Sequence, residues 1–470
     1  MYIKNTTHLL PNELEESQLL LRKRGLKALE KAISAVKPNK LMGKSIKISG
    51  KTLIINNKEF NLESYNKIYI IGGGKATAEM ALTLEKILSH IENIEYEGII
   101  NIPYNSLEYQ IQEKSKISIN YASHPIPDES GLNGTKSMIE IIEKSDKNDL
   151  IFCLISGGGS ALLTLPKQGI TLKDLQKINS ILLESGMSIH EINTVRKHYS
   201  DLKGGNLAKK VYNASGATLI SLIISDVVDN NLDSIASGPT VPDSTTFEDA
   251  IDVLKKYSIL EKVPYSIKKT IINGKYNKIL ENPKSNDPCF KNVYNNLIGS
   301  IKSAVDEIII YLNQQGFKID YFSDDIIGEA RKFGRLLNRI IMRKMNEYLE
   351  IKKLALIATG ELTVTIQGKG IGGRNQEMLL SYLDHMRKRE YDFKFLIIGV
   401  NLDGIEGNSD AMGAIVDNFT FYQMNKLNLD SKKYLKENNS NTFFKILSSE
   451  IITGPTGCNV NDLLLVLILK

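Results

Sequence analysis

Cysteine is scarce in this chain, and the few cysteines present are not placed to act together. Only three occur in 470 residues, namely Cys153, Cys289 and Cys458. They are odd in number, lie far apart and form no CxxC pair, so neither a disulfide framework nor a zinc site is indicated. A chain without disulfides is typical of a reducing compartment. We therefore expect a cytoplasmic protein.

Long apolar runs and an excess of one charge are also missing. The N-terminal stretch MYIKNTTHLLPNELEESQ lacks the apolar core of a signal peptide. The apolar run LLLVLIL near the end is far too short to span a bilayer and predicts a buried strand. The net charge of +5 is small for this length, and no dense block of Lys and Arg with interleaved aromatics occurs. We expect neither a membrane nor a nucleic acid as partner.

The composition is otherwise that of an ordinary soluble globular protein, with 42% hydrophobic and 24% charged residues. A chain of this length exceeds a single small core and is expected to form two domains. We place the N-terminal domain at residues 1–300 and the C-terminal domain at 301–470. The polar, Lys- and Asn-rich stretch at about 255–300 is expected to be a variable segment of the first domain.

Short apolar runs that end in Gly, Ser, Asp or Thr recur at wide spacing along the chain. They lie at residues 67–74, 149–160, 217–226, 353–361 and 394–404. Each run is continuous rather than alternating, and helical stretches separate the runs, which predicts parallel strands buried on both faces by helices. The residues at the strand ends should then lie at the carboxyl edge of the sheet, where α/β proteins bind ligands.

Three further elements follow from their local patterns. Residues 14–36 have the pattern of one amphipathic helix, and residues 302–316 that of another, with which the second domain should begin. Between residues 45 and 62 the sequence alternates apolar and polar residues around Gly50 and Asn56–Asn57, as a hairpin does.

The stretch IYIIGGGKATAEM, at residues 68–80, places three glycines and a lysine between a strand and a helix. Glycines allow backbone N–H groups to approach an anion, the start of the helix carries a partial positive charge, and Lys75 adds a full one. A tight turn with a solvated lysine is the alternative. A phosphate loop of the form GxxxxGK[ST] is excluded, because Ala76 follows the lysine.

Two other glycine motifs were tested against known signatures. The stretch ISGGGSAL, at residues 155–162, resembles a nucleophile elbow, but Leu162 replaces the last glycine of GxSxG. Ser160 is therefore expected to donate a hydrogen bond rather than to act as a nucleophile. The stretch GKGIGG, at residues 368–373, matches GxGxxG and would suit a dinucleotide-dependent oxidoreductase, with Glu390 or Asp392 on the ribose. That alternative assigns no role to Lys75 or to Arg374, which follows the GKGIGG stretch.

Polar and charged residues concentrate in five stretches. They are HEINTVRKHYSDLKGGNLAK (190–209), SDVVDNNLDSIASGPT (225–240), ATGELTVTIQGKGIGGRNQEMLL (358–380), GVNLDGIEGNSDAMGAIVD (399–417) and TGPTGCNVNDLLLVLI (453–468). A solvated helix face is the alternative for many charges of the first stretch. Glycine corners with Lys and Arg suit a polyphosphate, and carboxylates at strand ends suit its magnesium or a hydroxyl nucleophile. The residues thus indicate phosphoryl transfer to a small polar substrate without a phosphate loop.

The ordered set of motifs resembles the class II glycerate kinases, which are glycerate 2-kinases with a C-terminal MOFRL domain. The motifs are GGGKA, SHPIPDESG, ISGGGSALL, NTVRKHYSDLKGGNLA, SDVVDNNLDSIASGPT, GGRNQE, DGIEGNSDAMGAIVD and GPTGCNVND. Each motif alone is unspecific, whereas the whole set in this order is very specific. The resemblance covers roughly residues 15–468.

The resemblance implies two α/β domains, the first Rossmann-like with a mostly parallel sheet and the second the MOFRL domain, with the active site in the cleft between them. It implies ATP as phosphoryl donor, Mg²⁺ as metal and D-glycerate as substrate, phosphorylated at the 2-hydroxyl to give 2-phosphoglycerate and ADP. A homodimer is left open. An inactive nucleotide sensor would have lost key charges, but Lys75, Asp226 and Arg374 are all present.

Functional residues follow from the resemblance position by position. Lys75 and Arg374 are expected to neutralise the transferring phosphoryl group and the glycerate carboxylate. Asp226 is expected to orient the attacking hydroxyl or accept its proton, with a loop-capping aspartate as the alternative. Substrate or phosphate binding is assigned to Gly73, Gly74, Gly157, Gly158, Gly159, Ser160, Arg196, Lys203 and Asn206. Nucleotide binding is assigned to Glu361, Asn375, Glu377, Asp403 and Asn461, and metal binding to Asp226 and Asp403. The chain departs from the family pattern at Leu402 and Asn206.

Overall fold

A computed structural model of the chain describes residues 1–104, 106, 115–227, 229–386 and 392–470. The chain forms two compact units. The parallel-sheet unit comprises residues 38–299, and the mixed-sheet unit comprises residues 1–37 and 300–470. The change of unit at residue 300 lies where the sequence placed a boundary. Residues 1–37, which the sequence assigned to the first domain, lie instead in the mixed-sheet unit.

The described residues form α-helices in both units. They are α1 (Thr6–Leu9), α2 (Glu16–Ala35), α3 (Pro38–Ser45), α4 (Thr77–Leu88), α5 (Glu129–Lys144), α6 (Gly159–Leu162), α7 (Leu172–Glu184), α8 (Ile189–Tyr199), α9 (Asn206–Ala214), α10 (Phe247–Lys256), α11 (Tyr265–Tyr276), α12 (Ile301–Gln314), α13 (Ala330–Glu347), α14 (Arg374–Met386), α15 (Asn418–Lys426), α16 (Ser431–Lys436) and α17 (Ser440–Ile446). The predicted helices at residues 14–36 and 302–316 are confirmed as α2 and α12. Within these ranges, no helix is both long enough and apolar enough to cross a membrane.

The strands of the described residues form three sheets. They are β1 (Ile46–Ser49), β2 (Thr52–Ile55), β3 (Lys58–Asn61), β4 (Ile68–Gly73), β5 (Tyr96–Pro103), β6 (Ile117–Ala122), β7 (Leu150–Ile155), β8 (Thr218–Ile224), β9 (Val293–Gly299), β10 (Lys318–Glu329), β11 (Lys353–Thr363), β12 (Lys394–Asn401), β13 (Gly413–Asp417), β14 (Glu450–Ile451) and β15 (Asp462–Leu469). Strands β1, β2 and β3 form a small antiparallel sheet. The predicted hairpin is thereby confirmed, and Asn56 and Asn57 turn the chain with φ angles of 47° and 70°.

The main sheet of the parallel-sheet unit has the strand order β6-β5-β4-β7-β8-β9, and every pair is parallel. The chain first builds outward from β4 to β6 and then returns to build outward from β7 to β9. This is the Rossmann order, and its direction reverses between β4 and β7. The predicted Rossmann-like first domain is confirmed, and so are the strands predicted from the first three apolar runs.

The segment expected to be variable, at about residues 255–300, is an integral part of the parallel-sheet unit. It contributes α11 and β9, the sixth strand of the sheet. Ile267 and Ile271 of α11 are fully buried and pack with residues of α7, α8 and α10 in one hydrophobic cluster. Lys and Asn dominate the composition because they cover the outer face, while isoleucines spaced four residues apart cover the inner face.

The sheet of the mixed-sheet unit has the strand order β10-β11-β15-β12-β13-β14. Only β10 and β11 pair in parallel, and β15 lies between β11 and β12 antiparallel to both. The prediction that the runs at 353–361 and 394–404 are strands is confirmed. Their predicted parallel pairing is wrong for β12, which is antiparallel to both of its neighbours. It is right for β11 with β10 and wrong for β11 with β15. Continuous apolar runs report burial on both faces, and a central strand is buried in this way whatever its direction. The LLLVLIL run is confirmed as the buried strand β15.

Residues 1–37 belong to the mixed-sheet unit because α2 packs on its sheet. A Cβ atom at Gly25 would lie 2.5 Å from the Leu396 side chain, so the helix approaches β12 closely. Arg22, only 1% exposed, donates from Nε and Nη2 to the two carboxylate oxygens of Asp417, at 2.7 and 3.0 Å. The amphipathic pattern of α2 predicts a buried face but does not say which sheet the helix covers.

Candidate active site

Two glycine-rich corners lie side by side in the parallel-sheet unit, because β4 and β7 are neighbours in the sheet. The first corner follows β4 and contains Gly74 and Lys75. The second follows β7 and contains residues 156–160. Both lie at the carboxyl edge of the sheet, at the point where the strand order reverses, which is the usual ligand position of such folds.

The backbone donors of the first corner are already used. The N–H groups of Gly74 and Lys75 donate to the carbonyl oxygens of Asn101 and Gly157, at 3.2 and 2.9 Å. The N–H of Ala76 donates to Ser156 Oγ at 3.0 Å. A Cβ atom at Gly74 would lie 2.1 Å from Ser156 Oγ. The glycines here allow two corners to pack closely, and the contact of Gly73 and Gly74 with substrate stays a prediction.

The second corner leaves backbone donors available. Gly158 has a φ of 83° and begins the single turn of α6. Within the described part of the chain, the N–H groups of Gly157, Gly158 and Ser160 have no hydrogen-bond acceptor. Three N–H groups at a bend after a strand form a favourable concavity for an anion. The SGGGS corner therefore fits the anion-binding role that the GGGK corner was expected to have.

The hydroxyl of Ser160 belongs to a chain of hydrogen bonds. Ser160 Oγ lies 3.0 Å from Ser237 Oγ, and Ser237 Oγ donates to Asn193 Oδ1 at 2.9 Å. Because an amide oxygen only accepts, the Ser237 proton is committed to Asn193, and Ser160 is the donor to Ser237. Among the described residues, this series of hydrogen bonds includes no base that could activate Ser160, and its role as a polar binding group stays a prediction.

Lys75 shares its surroundings with His124, which sequence reasoning did not single out. A Cβ atom at Gly158 would lie 3.0 Å from the His124 ring and 3.4 Å from Lys75 Cγ. Burial, and then the positive charge of Lys75, lower the pKa of His124 to about 4. His124 is therefore neutral near pH 7 and can exchange hydrogen bonds without adding charge. Its only sequence signal was its place in the SHPIPDESG motif, just after β6.

The remaining predicted residues of this unit lie in three places. Asp226 follows β8, the neighbour of β7, at the same carboxyl edge and is half-buried. Arg196 on α8 and Lys203 in the following loop face a small pocket that Ser160 also lines. Asn206 is buried instead, and its amide donates to Ser200 O, Lys203 O and Asn282 Oδ1. The side chain of Asn206 thus fixes its own loop.

A second cluster lies in the mixed-sheet unit, around the first residue of α14. Arg374 donates to both carboxylate oxygens of Asp462, at 2.6 and 2.9 Å, and to Glu361 Oε1 at 2.6 Å. Burial opposes the charge of Arg374, but the two carboxylates outweigh it and raise the pKa of the guanidinium. Burial raises the pKa of Asp462 to about 6, although Arg374 counteracts it. The predicted residues Arg374 and Glu361 therefore meet, and the charge of Arg374 is already compensated.

Glu406 is a buried carboxylate that the sequence reasoning missed. Its two oxygens accept hydrogen bonds from the N–H groups of Asn375 and Gln376, both at 2.9 Å. These are donors of the first turn of α14, so Glu406 occupies the position that an external anion would take there. Burial, and then the charge of Asp462, raise the pKa of Glu406 to about 8. Glu406 thereby holds the start of α14 and with it Arg374.

The glycines of the GKGIGG stretch are explained by packing. Cβ atoms at Gly368 and Gly370 would lie 2.3 and 2.4 Å from atoms of Glu437 and Asn439. These glycines thus allow the loop to pack closely against the segment around α16 and α17, which accounts for the motif without a pyrophosphate. Of the two ribose partners weighed for a dinucleotide, Glu390 lies outside the described residues, and Asp392 is an exposed residue before β12.

Of the residues assigned to the nucleotide, some are buried inside the protein and others lie at the edge of the sheet. Glu377 is 2% exposed and accepts from Arg331 Nε at 2.5 Å and from the Asn438 amide, so its carboxylate is used inside the protein. Asn375 is equally buried beside Glu406. Asp403 follows β12, and Asn461, with a φ of 79°, precedes β15. Because β12 and β15 are paired, these last two lie at the same sheet edge as Arg374.

In the described part of the chain, the carboxylates that could hold a metal ion are few. Among the described residues, no three His, Cys, Asp or Glu side chains form a group that could hold a metal ion. Mg²⁺ bound with a nucleotide takes one or two carboxylates together with phosphate oxygens and water. Asp226 and Asp403, each half-buried at a sheet edge, fit that smaller requirement.

Two family models match different parts of this chain. A model of the family described as "Domain of unknown function (DUF4147)" matches residues 25–272, and a model of the MOFRL family matches residues 354–462. The glycerate 2-kinase of Pyrococcus horikoshii is 39% identical, over 95% of this chain and 97% of its own length. The D-glycerate 2-kinase of Thermotoga maritima is 36% identical, over 95% of this chain and 98% of its own length.

A solved structure agrees with these relatives. The crystal structure of a glycerate kinase from Thermotoga maritima matches with a TM-score of 0.79 and 34% identity, covering 95% of this chain and 99% of that chain. Fold and site define an α/β protein of two units with charged clusters at the sheet edges. The chain belongs to the MOFRL-domain family of glycerate kinases, the class II glycerate kinases. The resemblance drawn from the sequence motifs is confirmed.

Proposed function

We propose that this protein is a glycerate 2-kinase, which transfers the γ-phosphoryl group of ATP to the 2-hydroxyl of D-glycerate. The observation that carries the proposal is the edge of the parallel sheet between β4 and β7. There Lys75 stands beside a corner with three available N–H groups, while Asp226 follows the next strand. The relatives named glycerate 2-kinases cover nearly the whole chain and support this substrate.

The proposed step needs only groups of these types. The 2-hydroxyl oxygen forms a bond to the γ-phosphorus, and the bond from that phosphorus to the bridging oxygen of ADP breaks. Asp226 orients the hydroxyl and accepts its proton. Lys75 and the N–H groups of Gly157, Gly158 and Ser160 neutralise the oxygens of the transferring phosphoryl group. Arg374 is the second proposed cation, although Asp462 and Glu361 share its charge.

Mg²⁺ is proposed as the metal of this reaction. Asp226 or Asp403 would hold it through carboxylate oxygens, with the phosphates of ATP as further ligands. When bound, the ion supplies additional positive charge against the phosphate oxygens.

The test is an assay that reports the position of the new phosphate. The protein is incubated with D-glycerate, ATP and magnesium, and the product is coupled to enolase without phosphoglycerate mutase. We expect a signal, because enolase acts on 2-phosphoglycerate directly. ADP without an enolase signal would mean 3-phosphorylation or another acceptor. Consumption of NADH with hydroxypyruvate and no ADP would overturn the kinase in favour of an oxidoreductase.

Replacing Asp226 by asparagine should slow chemistry more than it weakens ATP binding. Asparagine keeps the shape but cannot accept a proton, and loss of a general base typically costs about a hundredfold or more in turnover. Turnover and the Kd of ATP should be measured together, with Asp229→Asn, in the exposed part of the same loop, as control. Equal losses of turnover and ATP affinity would contradict the proposed role and indicate a structural or metal-binding aspartate.

A further inference from the structure

The most informative polar pocket of the parallel-sheet unit lies beside the SGGGS corner. Its polar side chains include Ser160, Asn179, Arg196, Tyr199 and Lys203, and Leu165 and Leu175 form apolar walls. We call it the Arg196–Lys203 pocket. The pocket is narrow and opens to solvent, so it suits one polar end of a small molecule and not a whole nucleotide.

Two cations face this pocket without a counter-charge. Arg196 donates from Nε and Nη2 to Asn179 Oδ1, at 3.2 and 3.1 Å, and its other neighbour is the Tyr199 hydroxyl. Lys203, 5% exposed, donates from Nζ to the Leu163 carbonyl at 2.7 Å. All three acceptors are neutral. Among the described residues, no carboxylate forms an ion pair with either cation.

Lys197, the residue after Arg196, is a buried cation of the same unit that does have a counter-charge. Lys197 is as buried as Lys203, but it is ion-paired with Asp233 and with Asp243. Buried charges in proteins are normally paired in this way, because an uncompensated charge in a low dielectric is costly. Arg196 and Lys203 therefore lack a partner that the surrounding protein supplies to Lys197.

The lack of a counter-charge alters Lys203 itself. Burial, and then the positive charge of Arg196, lower the pKa of Lys203 to about 7. A bound anion would raise the pKa of Lys203 again, since it would place a negative charge next to both cations. The planar guanidinium of Arg196 can offer two parallel N–H groups to a carboxylate, a geometry that lysine lacks.

We propose that the Arg196–Lys203 pocket binds the carboxylate of the substrate and selects small 2-hydroxy carboxylates as a class. The inference rests on the proposed kinase function and adds where the acid group of its substrate is held. Ser160 lines the pocket and also belongs to the SGGGS corner. In a 2-hydroxy acid the hydroxyl carbon is bonded directly to the carboxylate. A carboxylate in the pocket therefore keeps the 2-hydroxyl nearer to the corner than the 3-hydroxyl.

The test measures binding in the absence of ATP, so that it does not depend on turnover. Isothermal titration calorimetry is run with D-glycerate, with D-lactate and with uncharged glyceramide. We expect D-glycerate and D-lactate to bind and glyceramide to bind at least tenfold more weakly, because a hydrogen-bonded charge pair is worth about ten- to hundredfold in affinity. Equal binding of glyceramide and glycerate would overturn the proposal.

Two variants then test the cations, and Lys210→Ala, which removes a surface partner of Asp201 in the same unit, is the control. Arg196→Gln and Lys203→Met should each weaken D-lactate binding by about tenfold or more, with the KM for ATP unchanged within about twofold. Since each removes an uncompensated charge, ligand-free thermal stability should stay equal or rise. A merely structural residue would instead lower the melting temperature and leave the Kd of D-lactate unaltered, which would refute the assignment.

A competition experiment separates a carboxylate site from a phosphate site. Inorganic phosphate should compete with ATP and not with D-lactate, and loss of ATP affinity in Arg196→Gln would overturn the proposal in favour of a phosphate site. The same measurements distinguish a failure of the pocket assignment from a failure of the kinase function. If wild-type protein makes 2-phosphoglycerate but the variants bind D-lactate normally, the pocket assignment alone is wrong. If D-lactate binds as expected but no ADP forms, the kinase function alone is wrong.

Discussion

Replacing Arg374 by alanine is expected to lower the free energy of unfolding by about 3 kcal/mol and turnover by about a hundredfold or more. The first effect follows because Asp462, 5% exposed, would lose the cation that donates to both its oxygens. Removing one partner of a buried ion pair costs about 3–5 kcal/mol, and the partial exposure of Arg374 favours the lower end. The second effect follows from losing a cation at a developing anion.

The two effects of Arg374→Ala can be separated by a second substitution. Asp462→Asn removes the carboxylate that Arg374→Ala would leave uncompensated, so the double variant should recover much of the lost stability. Turnover should not recover if the arginine itself acts on the phosphoryl group. Arg22→Ala breaks another buried ion pair of the mixed-sheet unit and serves as control, with lower stability and near-normal turnover. Recovery of turnover in the double variant would mean that Arg374 has only a structural role.

Replacing Lys75 by alanine is expected to lower turnover by about a hundredfold or more in a protein that still folds. The backbone N–H of residue 75, which bonds to the Gly157 carbonyl, is retained in the variant, so the packing of the two corners is kept. The ammonium group is lost, and removal of one stabilising group at a developing anion typically costs a hundred- to thousandfold. Turnover with D-glycerate and ATP is the measurement, together with a thermal unfolding curve.

Lys67→Ala is the matched control for Lys75→Ala. Lys67 precedes the same strand, at the opposite edge of the sheet, and pairs with Glu97 at 3.0 Å on the surface. Loss of such a surface pair is worth at most about 1 kcal/mol and should not affect turnover. A folded Lys75→Ala protein with near-normal turnover would exclude the proposed role of Lys75, whatever the result for Lys67.

Five buried strands, a hairpin and two helices could be predicted from local patterns, but the strand directions of the mixed-sheet unit could not. The runs that became β4, β7, β8, β11 and β12 were all recognised as buried strands. Burial on both faces produces the same continuous apolar run in a parallel and in a mixed sheet. The place of β15 between β11 and β12 depends on pairing with a segment some hundred residues further along. The same holds for α2, whose pattern predicts a buried face and not the sheet beneath it.

The candidate site could be predicted in part. Lys75, Ser160 and Asp226 do lie at one edge of one sheet, as the strand-end argument requires. His124 and Glu406 were missed, because each lies in a recognised motif but nothing in that motif distinguishes its side chain from those of its neighbours. Each gains its importance from a contact made by a distant part of the chain, Lys75 for His124 and the first turn of α14 for Glu406.

By itself, the sequence determined the family, the alternation of strands and helices, and the residue types that could carry phosphoryl transfer. Only the tertiary structure decided which charges are compensated. Arg196 and Lys197 are adjacent in sequence, yet Lys197 contacts two aspartates, while the described part of the chain gives Arg196 only neutral acceptors. Arg374, expected to be an available cation, is held by two carboxylates. Electrostatic roles depend on distances between groups far apart in the chain, and folding alone fixes those distances.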